Sequence, residues 1–224
     1  MCGRFTQTAS PAVIAEQFAV STPPLFPARY NIAPSQPIAA IRIDPDTTTR
    51  TLVMLWWGLI PSWAKDAKIG AQCINAKAET VAEKPSFRSA FKKRRCLVVA
   101  TGFYEWQARG RTKQPMWIGL RSKGPFAFAG LWEHWQPTEG EPLETCTIIT
   151  TEPNDFMAPI HNRMPVILPP ASYDQWLDPT FQQADALKSL FRPYPSEELM
   201  AYPVSTLVNN PRHDAPQCLE PVSV

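Results

Sequence analysis

Proline recurs 25 times over 224 residues and is distributed along the whole chain. Each proline fixes its own φ and removes a backbone donor, so a chain punctuated this often favours short elements and ordered loops over long helices. The apolar runs between the punctuators read as strands at 37–43, 51–57, 96–100, 103–106, 116–120, 126–132 and 146–151, with shorter extended runs at 2–6 and 166–168. Asp44-Pro45-Asp46 turns the chain between the first two as a hairpin, and a basic turn spans 107–114. Ser10-Pro11 supplies an N-cap and an N1 proline for a helix with Val13, Ile14 and Phe18 on one face, stopping by Pro23-Pro24. Further short helices are expected at 86–93, after Pro153-Asn154-Asp155, at 171–177 and at 182–191, with a polar link at 74–80. No repeat, linker or low-complexity tract divides the chain. The expected architecture is therefore α+β: a single domain over 1–224, built on a curved, mostly antiparallel, barrel-like sheet with peripheral short helices.

Composition removes several function classes. Five cysteines are odd in number, widely scattered and without CxxC spacing, and no secretory leader pattern opens the chain, which reads as a reduced, cytoplasmic protein. None of His134, His161 and His213 pairs with a cysteine at ligand spacing, so neither a metal nor an organic cofactor is expected. No apolar run approaches the roughly 20 residues of a membrane helix. A net charge of +2 neither demands nor excludes a polyanionic partner. Eight tryptophans exceed what an ordinary core requires. For those in Trp57-Gly58-Leu59-Ile60-Pro61-Ser62-Trp63, buried packing and an exposed stacking ledge both remain open.

The first five residues, Met1-Cys2-Gly3-Arg4-Phe5, carry the most specific chemistry. A small second side chain permits removal of the initiator, which would leave Cys2 as a 1,2-aminothiol. An aldehyde meeting that pair is attacked by the amine to give a Schiff base and then trapped by sulfur in a five-membered thiazolidine ring. Such a nucleophile needs an acid or base beside it, and Glu105, His161 and Asn75 are the candidates. Glu105 lies between aromatics in a β run, where an outward position and a carboxyl inside a lined pocket are both open. The bland alternative for Cys2 is an incidental cysteine in a first strand. The cationic run Lys92-Lys93-Arg94-Arg95 suits the negative end of the helix before it.

Seven segments together resemble one family. They are Cys2-Gly3-Arg4-Phe5, Tyr30-Asn31-Ile32-Ala33-Pro34, Trp57-Gly58-Leu59-Ile60-Pro61, Asn75-Ala76-Lys77-Ala78-Glu79-Thr80, Gly102-Phe103-Tyr104-Glu105-Trp106, Ile160-His161-Asn162-Arg163-Met164-Pro165 and Val208-Asn209-Asn210-Pro211-Arg212. In that order they are similar to the SRAP proteins, the SOS response associated peptidase family. The resemblance implies an abasic-site sensor that crosslinks to single-stranded DNA through an N-terminal cysteine and shields the lesion from strand cleavage, with lyase and autoproteolytic activity as accompanying expectations. On matching positions it implies that Asn75 orients Cys2 and the sugar, that Glu105 acts on the amine or Schiff base, and that His161 transfers a proton to open the sugar. Arg4 and Arg163 would hold phosphates, and Trp63 and Trp106 would contact base or sugar. The family commonly has arginine at the place of Lys77, so that phosphate contact loses its bidentate fork. The implied partner is abasic single-stranded DNA, taken by a monomer that is cytoplasmic and nucleoid-associated when bound. Two other readings stay open: a cysteine peptidase using Cys2 and His161, and a non-catalytic single-strand-binding module.

Overall fold

The computed structural model describes residues 2–21 and 26–223; Met1, Val224 and 22–25, including the expected helix stop at Pro23-Pro24, lie outside the described residues. The strands are β1 (Phe5–Gln7), β2 (Arg29–Ile32), β3 (Pro37–Ile43), β4 (Arg50–Trp57), β5 (Asn75–Lys77), β6 (Arg95–Ala100) and β7 (Gly102–Arg109). They continue as β8 (Thr112–Leu120), β9 (Phe126–Trp135), β10 (Leu143–Thr151), β11 (Met164–Pro165), β12 (Ile167–Leu168) and β13 (Leu199–Pro203). Among the described residues four short α-helices accompany them: α1 (Pro11–Phe18), α2 (Arg88–Lys93), α3 (Tyr173–Leu177) and α4 (Ala184–Lys188).

Five strands close on themselves in the order β10-β4-β3-β6-β9, because β9 also pairs with β10. The β10–β4 seam is parallel and short, holding Thr145 opposite Trp56 and Cys146 opposite Trp57. Beside this ring stands an open antiparallel sheet in the order β13-β8-β7-β1-β2. The fold is thus an α+β domain, mostly antiparallel, with a barrel-like closed sheet and few short helices.

Alternation along the ring strands divides the core. Val98, Phe128, Leu55 and Ile148 meet Phe5, Phe103 and Ile118 of the open sheet in one cluster that also holds Cys2. Leu97, Val99, Ala127 and Ile149, each one residue out of phase with that set, meet Ile14, Phe18, Phe91 and Trp176 from the helices. The far face of the open sheet carries a third, small cluster around Tyr104, Trp117, Val204 and Val208.

Local chemistry accounts for where elements end. Ser10 caps α1 by accepting from Val13 N, and the helix stops when Ala19 adopts a left-handed φ of 54°. Only Ile14 and Phe18 of its expected apolar face are buried, while Val13 is exposed. Arg95 does not sit on the surface with its cationic neighbours. Its buried guanidinium donates to Phe91 O and Lys92 O, two terminal carbonyls of α2, and to Trp176 O of α3, joining the two helix ends. Residues 74–80 are not merely a link, since Asn75 to Lys77 pair in parallel with β10. The segment after Pro153 forms successive turns instead of a helix, because prolines at 153 and 159 leave room for little more than one turn.

One glycine positions the approach to the site. Gly58 has φ +134°, and a Cβ there would lie 2.8 Å from Gly70 O. Gly58→Ala is expected to destabilise the protein by at least about 2 kcal/mol in urea unfolding, combining backbone strain with a clash that no side chain can relieve.

Candidate functional site

The N-terminal segment reaches the site because β1 lies between β7 and β2. Phe5 pairs with Phe103, and Tyr104 N donates to Arg4 O at 2.9 Å, which draws the residues before β1 alongside β7. Cys2 is fully buried there, with the Arg4 amide donating to its sulfur. Asn75, first residue of β5, donates from Nδ2 to Cys2 O at 2.8 Å. Glu105 shares the Phe103 face of β7 by strand alternation and is 3 % exposed. His161 stands at the end of the turns after β10, held by its own N–H donating to Met157 O at 2.9 Å, and its Nε2 lies 3.8 Å from Glu105 Oε2. Three separated segments and the N-terminus therefore converge on one point, and Glu105 takes the pocket position and not the outward one.

The electrostatics of this cluster suit proton traffic. Burial raises the Glu105 carboxyl to about 7, so it holds and releases a proton near neutrality. Burial lowers His161, favouring neutral imidazole, although the Arg163 backbone opposes that shift. His161 Nδ1 faces both Arg163 N at 3.1 Å and Arg163 O at 3.2 Å, so the ring finds a partner on that side whether Nδ1 accepts or donates. Burial, with Glu105 adding to it, pushes the Cys2 thiol far above its ordinary range. Asn75 Oδ1 is buried and makes no hydrogen bond among the described residues. Among the described residues no three His, Cys, Asp or Glu side chains group as metal ligands, and no helix is long and apolar enough to cross a membrane.

The five expected nucleic-acid contacts fall in three places: Arg4 beside Trp106, Lys77 and Arg163 both at Thr150, and Trp63. Trp106 points to the opposite face of the open sheet from Glu105, donating from Nε1 to Asn209 Oδ1 at 2.7 Å. Arg4 lies 5.8 Å from that indole and donates to Asn31 Oδ1 at 2.8 Å and to Val208 O at 2.6 Å. Both thus anchor the segment around 208–209. Arg163 forks onto Glu79, with Nη1 to Oε1 at 2.6 Å and Nη2 to Oε2 at 3.0 Å. Lys77, at the end of β5, is exposed. Trp63 is 58 % exposed and walls a groove of about 520 Å³ with Lys65, Lys68, Ile69 and Gln72, three residues before Asn75, while Trp57 is wholly buried. Sequence reasoning passed over Glu79 and Gln107, whose amide donates to Pro159 O and ties β7 to the His161 turns. Gln107 was findable, being two residues beyond Glu105 on the same strand face.

A family model described as SOS response associated peptidase (SRAP) matches residues 1–211. The chain is 48% identical over 224 residues to the abasic site processing protein YoqW of Bacillus subtilis, covering 98% of this chain and 99% of that protein. It is 35% identical over 208 residues to the abasic site processing protein HMCES of Gallus gallus, covering 82% of this chain and 61% of that longer protein. A crystal structure of a protein from Bacteroides thetaiotaomicron superposes with a TM-score of 0.88 at 28% identity, covering 99% of this chain and 100% of that one.

The buried carboxyl has a measurable cost. Its folded pKa of about 7 lies above that of the unfolded chain, so folding favours the protonated form, and stability present below pH 4.5 is lost as pH rises through 7. Glu105→Gln should match the wild type in urea unfolding near pH 4 and exceed it at pH 8, by on the order of 2–3 kcal/mol.

Proposed function

Because the chain belongs to the SOS response associated peptidase family, we propose that it processes abasic sites in single-stranded DNA, crosslinking to them through Cys2 once Met1 is removed. The observation that carries this reading is the buried convergence of Cys2, Asn75, Glu105 and His161, with the Asn75 amide on the Cys2 carbonyl. The names of the relatives support the lesion, and the cluster of groups at the site supports the chemistry.

In the reaction as proposed, His161 moves a proton to the ring oxygen of the abasic sugar, opening it to the C1′ aldehyde. Glu105, in its carboxylate form, takes a proton from the Cys2 α-ammonium. The freed amine adds to C1′, and loss of water leaves an imine. Sulfur then adds to C1′ while the thiol proton passes to nitrogen, closing the thiazolidine ring. No electron is gained or lost by any oxidant or reductant. The raised thiol pKa favours this order, since an iminium can be captured by a thiol that gives up its proton late. Sulfur capture also prevents the β-elimination that an open Schiff base at an abasic site invites.

The strand approaches over Lys77 and along the Trp63 groove, where an indole can stack an unpaired base and Lys65 and Lys68 can meet phosphates. A stacked duplex resists the splaying that brings C1′ to a buried cysteine. A peptidase reading has less support, because a carboxylate beside a buried thiol disfavours the thiolate such an enzyme needs.

Intact mass after incubation with abasic single-stranded DNA should show a 1:1 adduct that undamaged DNA does not give. Cys2→Ala should abolish the stable adduct, and Cys2→Ser should leave at most a labile amine adduct trapped by borohydride. A wild-type-like stable adduct from Cys2→Ala would sink the mechanism. His161→Ala should slow formation by roughly 10²–10⁴-fold. Initial rates should be higher on single-stranded than on fully paired abasic DNA and should fall with salt; equal rates on both would remove the single-strand groove from the account.

A further inference from the structure

Arg163, for which family resemblance implies a phosphate contact, also has partners within the protein. Its guanidinium is held by both oxygens of Glu79, and Nη2 donates in addition to Thr150 O at 2.6 Å. That same carbonyl of β10 accepts from Ala78 N at 2.9 Å. The Glu79–Arg163 pair therefore bridges two limbs of the site across one strand. One limb begins at Asn75 and reaches Glu79 four residues later, and the other carries His161 two residues before Arg163. The backbone of Arg163 is what His161 Nδ1 faces, through both its N–H and its C=O. Whatever fixes Arg163 fixes the protonation options of the imidazole.

We infer that Glu79 is a positioning residue for His161, acting through a bidentate strut that holds the Arg163 backbone against the imidazole Nδ1. A forked carboxylate–guanidinium pair restricts orientation as well as distance, which a single contact would not do. Glu79 touches neither His161 nor Cys2 in the hydrogen bonds of this site, and at 52 % side-chain exposure it stands at the rim. The groups around His161 among the described residues are Glu105 of β7 and Lys113 of β8, which opposes its protonation, together with the Arg163 main chain.

The functional half of this inference rests on the crosslinking reading, whereas the geometric half can be tested without DNA. Protein labelled with 15N-histidine is titrated by NMR as wild type, Glu79→Gln and Glu79→Ala. Gln keeps the shape and one acceptor oxygen, so it remains informative should Ala fold poorly. Simple loss of a nearby anion would lower the His161 pKa. Loss of positioning frees Nδ1 from the Arg163 N–H and C=O, and the ring 15N shifts move toward those of histidine free in solution, more in Ala than in Gln. On abasic single-stranded DNA, the maximal single-turnover rate should fall about tenfold in Glu79→Ala, with half-saturation unchanged or reached at lower protein. Ring 15N shifts of His161 that keep their wild-type values in both variants overturn the strut, as does a rate loss carried entirely by weaker half-saturation. Failure of the wild type to crosslink would instead remove the functional reading and leave the titration to decide the strut.

Discussion

Everything at the site depends on a three-residue strand, β1, being paired in the middle of a sheet. Phe5 opposite Phe103 and Thr6 opposite Gly102 bind the chain's beginning to β7, while Phe5 also pairs with Ile32 of β2. The register is enforced by size. A Cβ on Gly102 would lie 2.3 Å from the Trp117 ring, whose Nε1 reaches Thr6 Oγ1 at 3.4 Å, so only glycine lets the indole lie across the pair. A slip of one residue would turn Phe5 out of its core and carry Cys2 away from Glu105.

Burial acts on the three titrating groups in different directions. It raises Glu105 toward neutrality, keeps His161 neutral and holds the Cys2 thiol protonated. The first shift leaves a carboxyl that exchanges its proton near neutrality beside an imidazole kept neutral, while the third keeps the sulfur as the thiol. One physical cause thus sets both readiness and restraint, at the expense of folding stability above pH 4.5.

Much of this was legible in the sequence. Proline spacing and apolar runs located the principal strands, and the β3–β4 hairpin falls at the Asp44 turn, whose carboxylate accepts from Asp46 N and Thr47 N. A barrel-like sheet was expected, but the seam that closes the ring was not legible, because it hangs on two residue pairs between β4 and β10, nearly ninety positions apart, with no turn to announce them. The burial of Glu105 was equally hidden: Tyr104 and Trp106 make the opposite face of β7 look no less apolar, so alternation alone could not choose an inside. For Arg4 and Arg163 the family resemblance implied phosphate contacts, while their partners within the protein, carbonyls for Arg4 and the Glu79 carboxylate for Arg163, were not legible because they come from distant segments.

The central placement of β1 has a consequence in time. Residues 5–7 emerge first during synthesis, yet β7, against which they must lie, follows almost a hundred residues later, roughly 5–20 s at ordinary translation rates. Until then the open sheet lacks its middle, and the N-terminal segment has nowhere to dock. The removal of Met1 that the proposed reaction requires would find Cys2 still unburied during that interval. Under that proposal the late arrival of β7 sets the interval before Cys2 is buried.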